Sequence, residues 1–150
     1  MVHLLAEPFR PSDYMHPFTQ AHPGLGGVCT FVGEVRGDAD TAEGVEALEL
    51  LHYERLTLSG MEALAQEAAS RFGLMGILVV HRTGVMRVGE PIVLVSAAAR
   101  HRRGAIDAVD FTMDHLKSDS WFWKREKRAG AWHWIEPRAE DHSDLARWAG

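Results

Sequence analysis

The sequence predicts an α+β fold, with a mixed or antiparallel sheet and two main helices. Short runs of β-branched and aromatic residues recur at 27–36, 76–82 and 92–100. Two stretches, 59–72 and 103–117, place apolar residues at helical spacing. The two patterns do not alternate as a regular βαβ chain would. The 150 residues suit one domain spanning 1–150, and a 46% hydrophobic content is enough for a packed core.

In chain order, "VHLLA" (2–6) reads as a short strand. A short helix is possible at 12–20, weakened by Pro17, and "HPGLGG" (22–27) is a turn. "GVCTFVGEVR" (27–36) and "VEALELLHYE" (45–54) read as strands around a polar loop, "GDADTAEG" (37–44). The helix at 59–72 is expected to open on a capping box, Ser59 with Glu62, and to stop at Gly73. "GILVVHR" (76–82), part of "TGVMRVGEP" and "IVLVSAAAR" (92–100) follow as strands. The second helix, 103–117, should bury Ile106, Val109, Met113 and Leu116 and end at Lys117. "WFWKRE" and "AWHWIE" (131–136) flank Ala129-Gly130 as a hairpin, with Trp132 and Trp134 on one face. The tail is expected to form a short helix or a docking arm.

No apolar run approaches the ~20 residues of a membrane span, and no signal segment is evident, so a cytoplasmic protein without a membrane partner is expected. Cys29 is the only cysteine, which excludes an internal disulfide, and it reads as a small buried hydrophobe. The net charge of −5 is uneven: residues 100–128 are +3 and the remainder −8. A local basic patch on an acidic protein suits a small anion or an acidic tail, and argues against nucleic acid. There is no nucleotide-binding glycine loop, no nucleophile elbow and no histidine or cysteine pair at zinc spacing, so neither a cofactor nor a metal is called for.

The remaining candidates are cations. Arg36 closes a strand, His101 and Arg102 join a strand to the second helix, Lys117 ends that helix, and Lys124 lies beyond three aromatics, Trp121, Phe122 and Trp123. Taken singly, each reads as a solvated surface charge. Together, strand ends and helix termini at one sheet edge can converge, and a helix N-terminus adds amide donors for an anion. A lysine on an aromatic wall can be desolvated and become useful as an acid, base or nucleophile. The aromatics can equally be core or interface.

Five segments in order, "TFVGEVR" (30–36), "HRTGVMRVGE" (81–90), "RHRRGAIDAVDFTMDHLK" (100–117), "FWKRE" (122–126) and "WIEPR" (134–138), resemble the molybdopterin synthase catalytic (large) subunit family. The resemblance implies an α+β fold with a hammerhead-like subdomain and a homodimer forming the core of a heterotetramer. Each protomer would bind a ubiquitin-like small subunit whose C-terminal Gly-Gly ends in a thiocarboxylate. The implied activity is a sulfurtransferase one: two sulfur transfers to cyclic pyranopterin monophosphate, giving the dithiolene of molybdopterin in molybdenum cofactor biosynthesis. Carried over position by position, Lys117 and Lys124 match the catalytic lysines. Glu34, Val35, Arg36, His101, Arg102, Arg125 and Glu126 match substrate-binding positions, and Arg138 matches an arginine reaching in from the neighbouring protomer. The sequence departs from the family in "GDADTAEG" after Arg36, in Trp121 before "FWK", and in "HYERL" (52–56). The alternative is a non-catalytic module that binds an anion or a peptide tail in the same basic pocket.

Overall fold

The computed structural model describes residues 1–37, 44–118, 121–136 and 139–149. The expected loop at 37–44 therefore falls almost wholly outside the described residues, and Arg138 does so entirely.

The chain begins with strand β1 (Val2–Leu5) and helix α1 (Pro11–Ala21). Pro11 suits the first helical turn, where its missing N–H would have no partner anyway. Pro17 is tolerated in the interior of a helix that buries no residue fully. Strands β2 (Gly27–Glu34) and β3 (Ala47–His52) follow, then helix α2 (Glu54–Phe72). The expected capping box at Ser59 is not formed. The helix starts at Glu54 behind an extended Tyr53, and Ser59 Oγ sits inside it, donating to the Arg55 carbonyl at 2.8 Å. Gly73 does stop it, at φ 61° and ψ 44°, a left-handed geometry that costs glycine little.

Strands β4 (Gly76–Arg82), β5 (Gly84–Arg87) and β6 (Pro91–Ala99) lead into helix α3 (Arg102–Ser118). The buried face of α3 is Ala105, Ala108, Val109, Phe111, Thr112, Asp114 and Leu116. Ile106, expected in the core, is 41% exposed. Ala105 and Ala108 take the inward positions, where small side chains let the helix lie close to its neighbours. Strands β7 (Phe122–Arg128) and β8 (Ala131–Ile135) form the expected hairpin, with Ala129 and Gly130 both at positive φ in its turn. Helix α4 (Ala139–Ala146) follows. Among the described residues no helix is long and apolar enough to cross a membrane.

The strands form two four-stranded sheets, ordered β1-β4-β6-β2 and β5-β3-β7-β8. Among the described residues only the β1–β4 pairing is parallel. The period-2 pleat divides β4 between two cores. Ile77 and Val79 join Met61, Leu64 and Ala68 of α2 and Val109 and Phe111 of α3 on one face of the first sheet. Leu78 and Val80 meet Phe9 and residues of α1 on the other. A third cluster, Val35, Leu48, Leu50 and Met86, lies beneath the second sheet. Ile92 and Phe122 pack against both the first and third clusters. They mark the seam between the sheets, and the candidate site opens at that seam.

Candidate functional site

Two elements deliver the two lysines to one place. Lys117 lies in the last turn of α3. Lys124 lies in β7, half-buried, paired with Leu50 on one side and Ile135 on the other. Both line a cavity of about 100 Å³ whose walls include Leu48, Leu50, Ile92, Leu116, Phe122 and Ile135. The walls are mostly apolar, so an anion entering it would meet the half-buried Lys124 ammonium with less competing water than at the surface, whereas Lys117 is exposed.

Beside the lysines sits a residue that sequence reasoning missed. His81, near the end of β4, is 6% exposed and lines the same cavity. Its Nδ1–H donates to the Arg82 carbonyl at 2.9 Å, and its ring stacks on Phe122 at 4.1 Å and 18°. Burial holds the imidazole pKa down at about 4; the charges of Lys117 and His52 push the same way, and the Arg82 hydrogen bond opposes them. The ring is therefore neutral around pH 7. The one sequence signal was a histidine directly after an apolar run, "GILVV", which reads equally well as core.

The three aromatics before Lys124 point to different places. Trp121 packs against the first core, where its ring closes over Gly60. Phe122 forms cavity wall. Trp123 is 42% exposed and meets Tyr53 edge-on at 4.7 Å. The expected aromatic wall is thus Phe122 alone.

The cations do not all converge within one chain. Strand β2 runs antiparallel to β6, with Glu34 opposite Pro91, while His81 of β4 lies opposite Val93. Arg36, exposed just beyond β2, is therefore at the same end of the first sheet as His81. Val35 is 4% exposed, a core side chain, and Glu34 is exposed. His101 and Arg102 are exposed at the opposite end of α3 from Lys117. At 1.5 Å per residue the helix holds Arg102 and Lys117 about 22 Å apart. The expectation that these termini meet at one edge fails for a single chain, because the helix between them is as long as the sheet it covers.

Arg125 alternates to the face of β7 away from Lys124. There its Nε donates to Glu49 at 2.7 Å, and its guanidinium lies 4.7 Å from the Trp132 ring centre and 5.7 Å from that of Trp134. Glu126 alternates to the Lys124 side and pairs with Arg128 at 3.1 Å. Cys29 is half-buried against the first core, and its thiol pKa is raised by burial.

The MoaE protein family profile matches residues 4–119. The chain is 41% identical over 148 residues to the molybdopterin synthase catalytic subunit of Caulobacter vibrioides, covering 99% of this chain and 97% of that one. It is 40% identical over 143 residues to the protein of the same name from Cereibacter sphaeroides, covering 95% and 96%. Among solved structures, the molybdopterin biosynthesis MoaE protein of Burkholderia ambifaria superposes with a TM-score of 0.83 at 31% identity, covering 100% of this chain and 98% of that one. A Helicobacter pylori structure, a complex of subunits 1 and 2 of molybdopterin-converting factor, shares the fold at a TM-score of 0.76 and 18% identity, covering 91% of each chain. By profile, sequence and fold together, this chain belongs to the MoaE protein family, the family of molybdopterin synthase catalytic subunits.

Proposed function

We propose that the chain is the sulfurtransferase that moves sulfur from the C-terminal thiocarboxylate of a ubiquitin-like small subunit onto cyclic pyranopterin monophosphate, forming the dithiolene of molybdopterin. The observation that carries this reading is the pair of lysines, from different elements, on one small apolar-walled cavity. Donor and substrate are both anions, and their approach needs fixed positive charge in a poorly hydrated place. Each transfer forms a carbon–sulfur bond on the pterin as a carbon–oxygen bond breaks, the cyclic phosphate ester opening in one transfer and water leaving in the other. Water then cleaves the resulting thioester, and the tail leaves as a carboxylate. Lys117, fixed at a helix end, faces the incoming tail. Lys124, on the strand, holds phosphate and can pass a proton as the cyclic ester opens. The narrow cavity suits a Gly-Gly end, which brings no side chain.

The separation of Arg102 from Lys117 gives the assembly a role. In a homodimer, Arg102 and Arg138 of one protomer, with His101 beside them in the substrate-binding set, supply the phosphate-binding cations for the other protomer's lysine cavity. Arg36 serves the cavity from its own end of the sheet; Glu34, Val35 and Glu126, expected at the substrate, are not among the described residues that line it. Arg125 acts by holding β7 in place through Glu49 and the two tryptophans. The reaction takes place in the cytoplasm, where the single thiol stays reduced.

The test is reconstitution with a thiocarboxylated partner and cyclic pyranopterin monophosphate, reading dithiolene formation. Turnover is expected. Binding of both components without conversion would favour the non-catalytic module. Mixing Arg102→Ala with Lys117→Ala protein, after exchange of protomers, should restore part of the activity each lacks alone. No recovery would refute the shared site.

A further inference from the structure

The cavity is rich in donors and poor in acceptors. Lysine offers three N–H donors and no acceptor. Of the described side chains that line the cavity, only His81 and, weakly, the Met113 thioether can accept a hydrogen bond. The proposed ligands bring donors of their own: the amide N–H of a terminal glycine, and the ring N–H groups of a reduced pterin. An N–H carried into this cavity without an acceptor would lose its water and gain nothing.

His81 is built to accept. Its Nδ1 carries the proton, because Nδ1 faces the Arg82 carbonyl at 2.9 Å. That places the lone pair on Nε2, which has no hydrogen-bond partner among the described residues. The stacked Phe122 fixes the ring plane. Lys117 and His52 act on the ring, and Lys124 lines the same cavity. A proton on Nε2 would add another positive charge there and remove the acceptor.

Resting on the sulfur-transfer reading above, we propose that His81 Nε2 accepts a hydrogen bond from an N–H of the bound ligand, orienting it between Lys117 and Lys124. The shared chemistry is an N–H donor, from either the tail amide or the pterin ring.

Two substitutions separate the two ring nitrogens. His81→Asn can place its amide nitrogen near Nδ1 and keep the bond to Arg82, but it presents nothing at Nε2. His81→Gln reaches the Nε2 position with a carbonyl oxygen and gives up the Arg82 bond. Single-turnover sulfur transfer should fall roughly tenfold in the Asn variant. It should recover to within about threefold of wild type in the Gln variant, even though that protein melts earlier. Binding of the partner and of the pterin is then measured separately with His81→Asn. Weakened partner binding alone assigns the donor to the tail amide, and weakened pterin binding alone assigns it to the ring. Wild-type transfer in the Asn variant overturns the proposal, as does a loss in both variants that merely tracks their melting temperatures. Lys117→Ala serves as control. If it is inactive while His81→Asn is normal, only the His81 inference falls. If it transfers sulfur at the wild-type rate, the cavity itself is not the site.

Discussion

Gly60 lies within α2, where replacing glycine by alanine ordinarily stabilises a helix by about 0.8–1.0 kcal/mol. Here the sign should reverse. A Cβ at Gly60 would sit 2.5 Å from Trp121 Cε2, 2.6 Å from Nε1 and 2.7 Å from Cζ2. Comfortable carbon contacts begin near 3.5 Å, so the indole would have to retreat by about 1 Å. It cannot do so freely, because it packs on the first core and its carbonyl accepts the hydroxyl of the fully buried Thr57 at 2.9 Å. Overpacking of this kind costs about 1–3 kcal/mol, so Gly60→Ala should be destabilising by about 1 kcal/mol net. For a chain of this size that lowers Tm by about 2–4 °C. Because Trp121 immediately precedes Phe122, the shift should also disturb the His81 stack and slow sulfur transfer. Thermal unfolding and single-turnover rates on the same preparation measure both effects. Adding Trp121→Phe removes the clashing edge, so the double variant should lose less than the two single losses combined. A Gly60→Ala protein that melts higher and transfers sulfur normally would refute the wedge and its link to the site.

Two further predictions concern stability. His81 has its folded pKa, about 4, below the ordinary 6.5, so the unfolded chain binds the extra proton. Its contribution is complete above pH 6.5 and disappears as the pH falls from 6.5 to 4, a total of about 3 kcal/mol. Glu90, whose pKa is lowered chiefly by its hydrogen bond from Arg82, loses its contribution in the same direction at lower pH. Urea midpoints taken across this range should show the wild type weakening more steeply between pH 6.5 and 4 than His81→Gln; parallel curves would contradict the buried neutral ring. The second prediction concerns Asp114, which accepts from Trp148 Nε1 at 2.6 Å and from Arg147 at 2.6 Å. Asp114→Ala should cost about 1.5–3 kcal/mol for the Trp148 bond and release α4. Hydrogen exchange should then speed up at 139–148 while β4 and β6 stay protected, and unchanged exchange there would show that α4 is held some other way.

Much of this fold was legible where a local rule has no competitor. Ala129-Gly130 between alternating strands meant a hairpin, and Gly73 meant a helix end. Ser59 misled because a serine inside a helix can bond back to a carbonyl, and its pattern with Glu62 imitates a cap. Ile106 misled because an apolar stripe fixes a helical face only to within about one position, and Ala105 and Ala108 took the inward places. For the site, sequence singled out Lys117 and Lys124, which line one cavity, but could not see that α3 separates Arg102 from Lys117. That failure is one of tertiary arrangement, since termini that lie close in a list of motifs can lie at opposite ends of a sheet. His81 was invisible for a different reason. In the sequence it is a polar residue near the end of an apolar strand, and only the packing of β3, β7 and α3 shows that it lines a cavity.

Lys117 and Lys124 are proposed to perform sulfur transfer and to be dispensable for folding. Arginine keeps the charge but is bulkier and does not give up its proton near neutral pH. Single-turnover transfer with Ala and Arg variants at both positions tests the claim most directly. Both Ala variants should fold normally and lose roughly 10²–10⁴-fold in rate. Arginine should fail at Lys117, where close approach to the tail matters, and partly rescue at Lys124, where charge on the phosphate matters. Wild-type rates in both Ala variants would contradict the account.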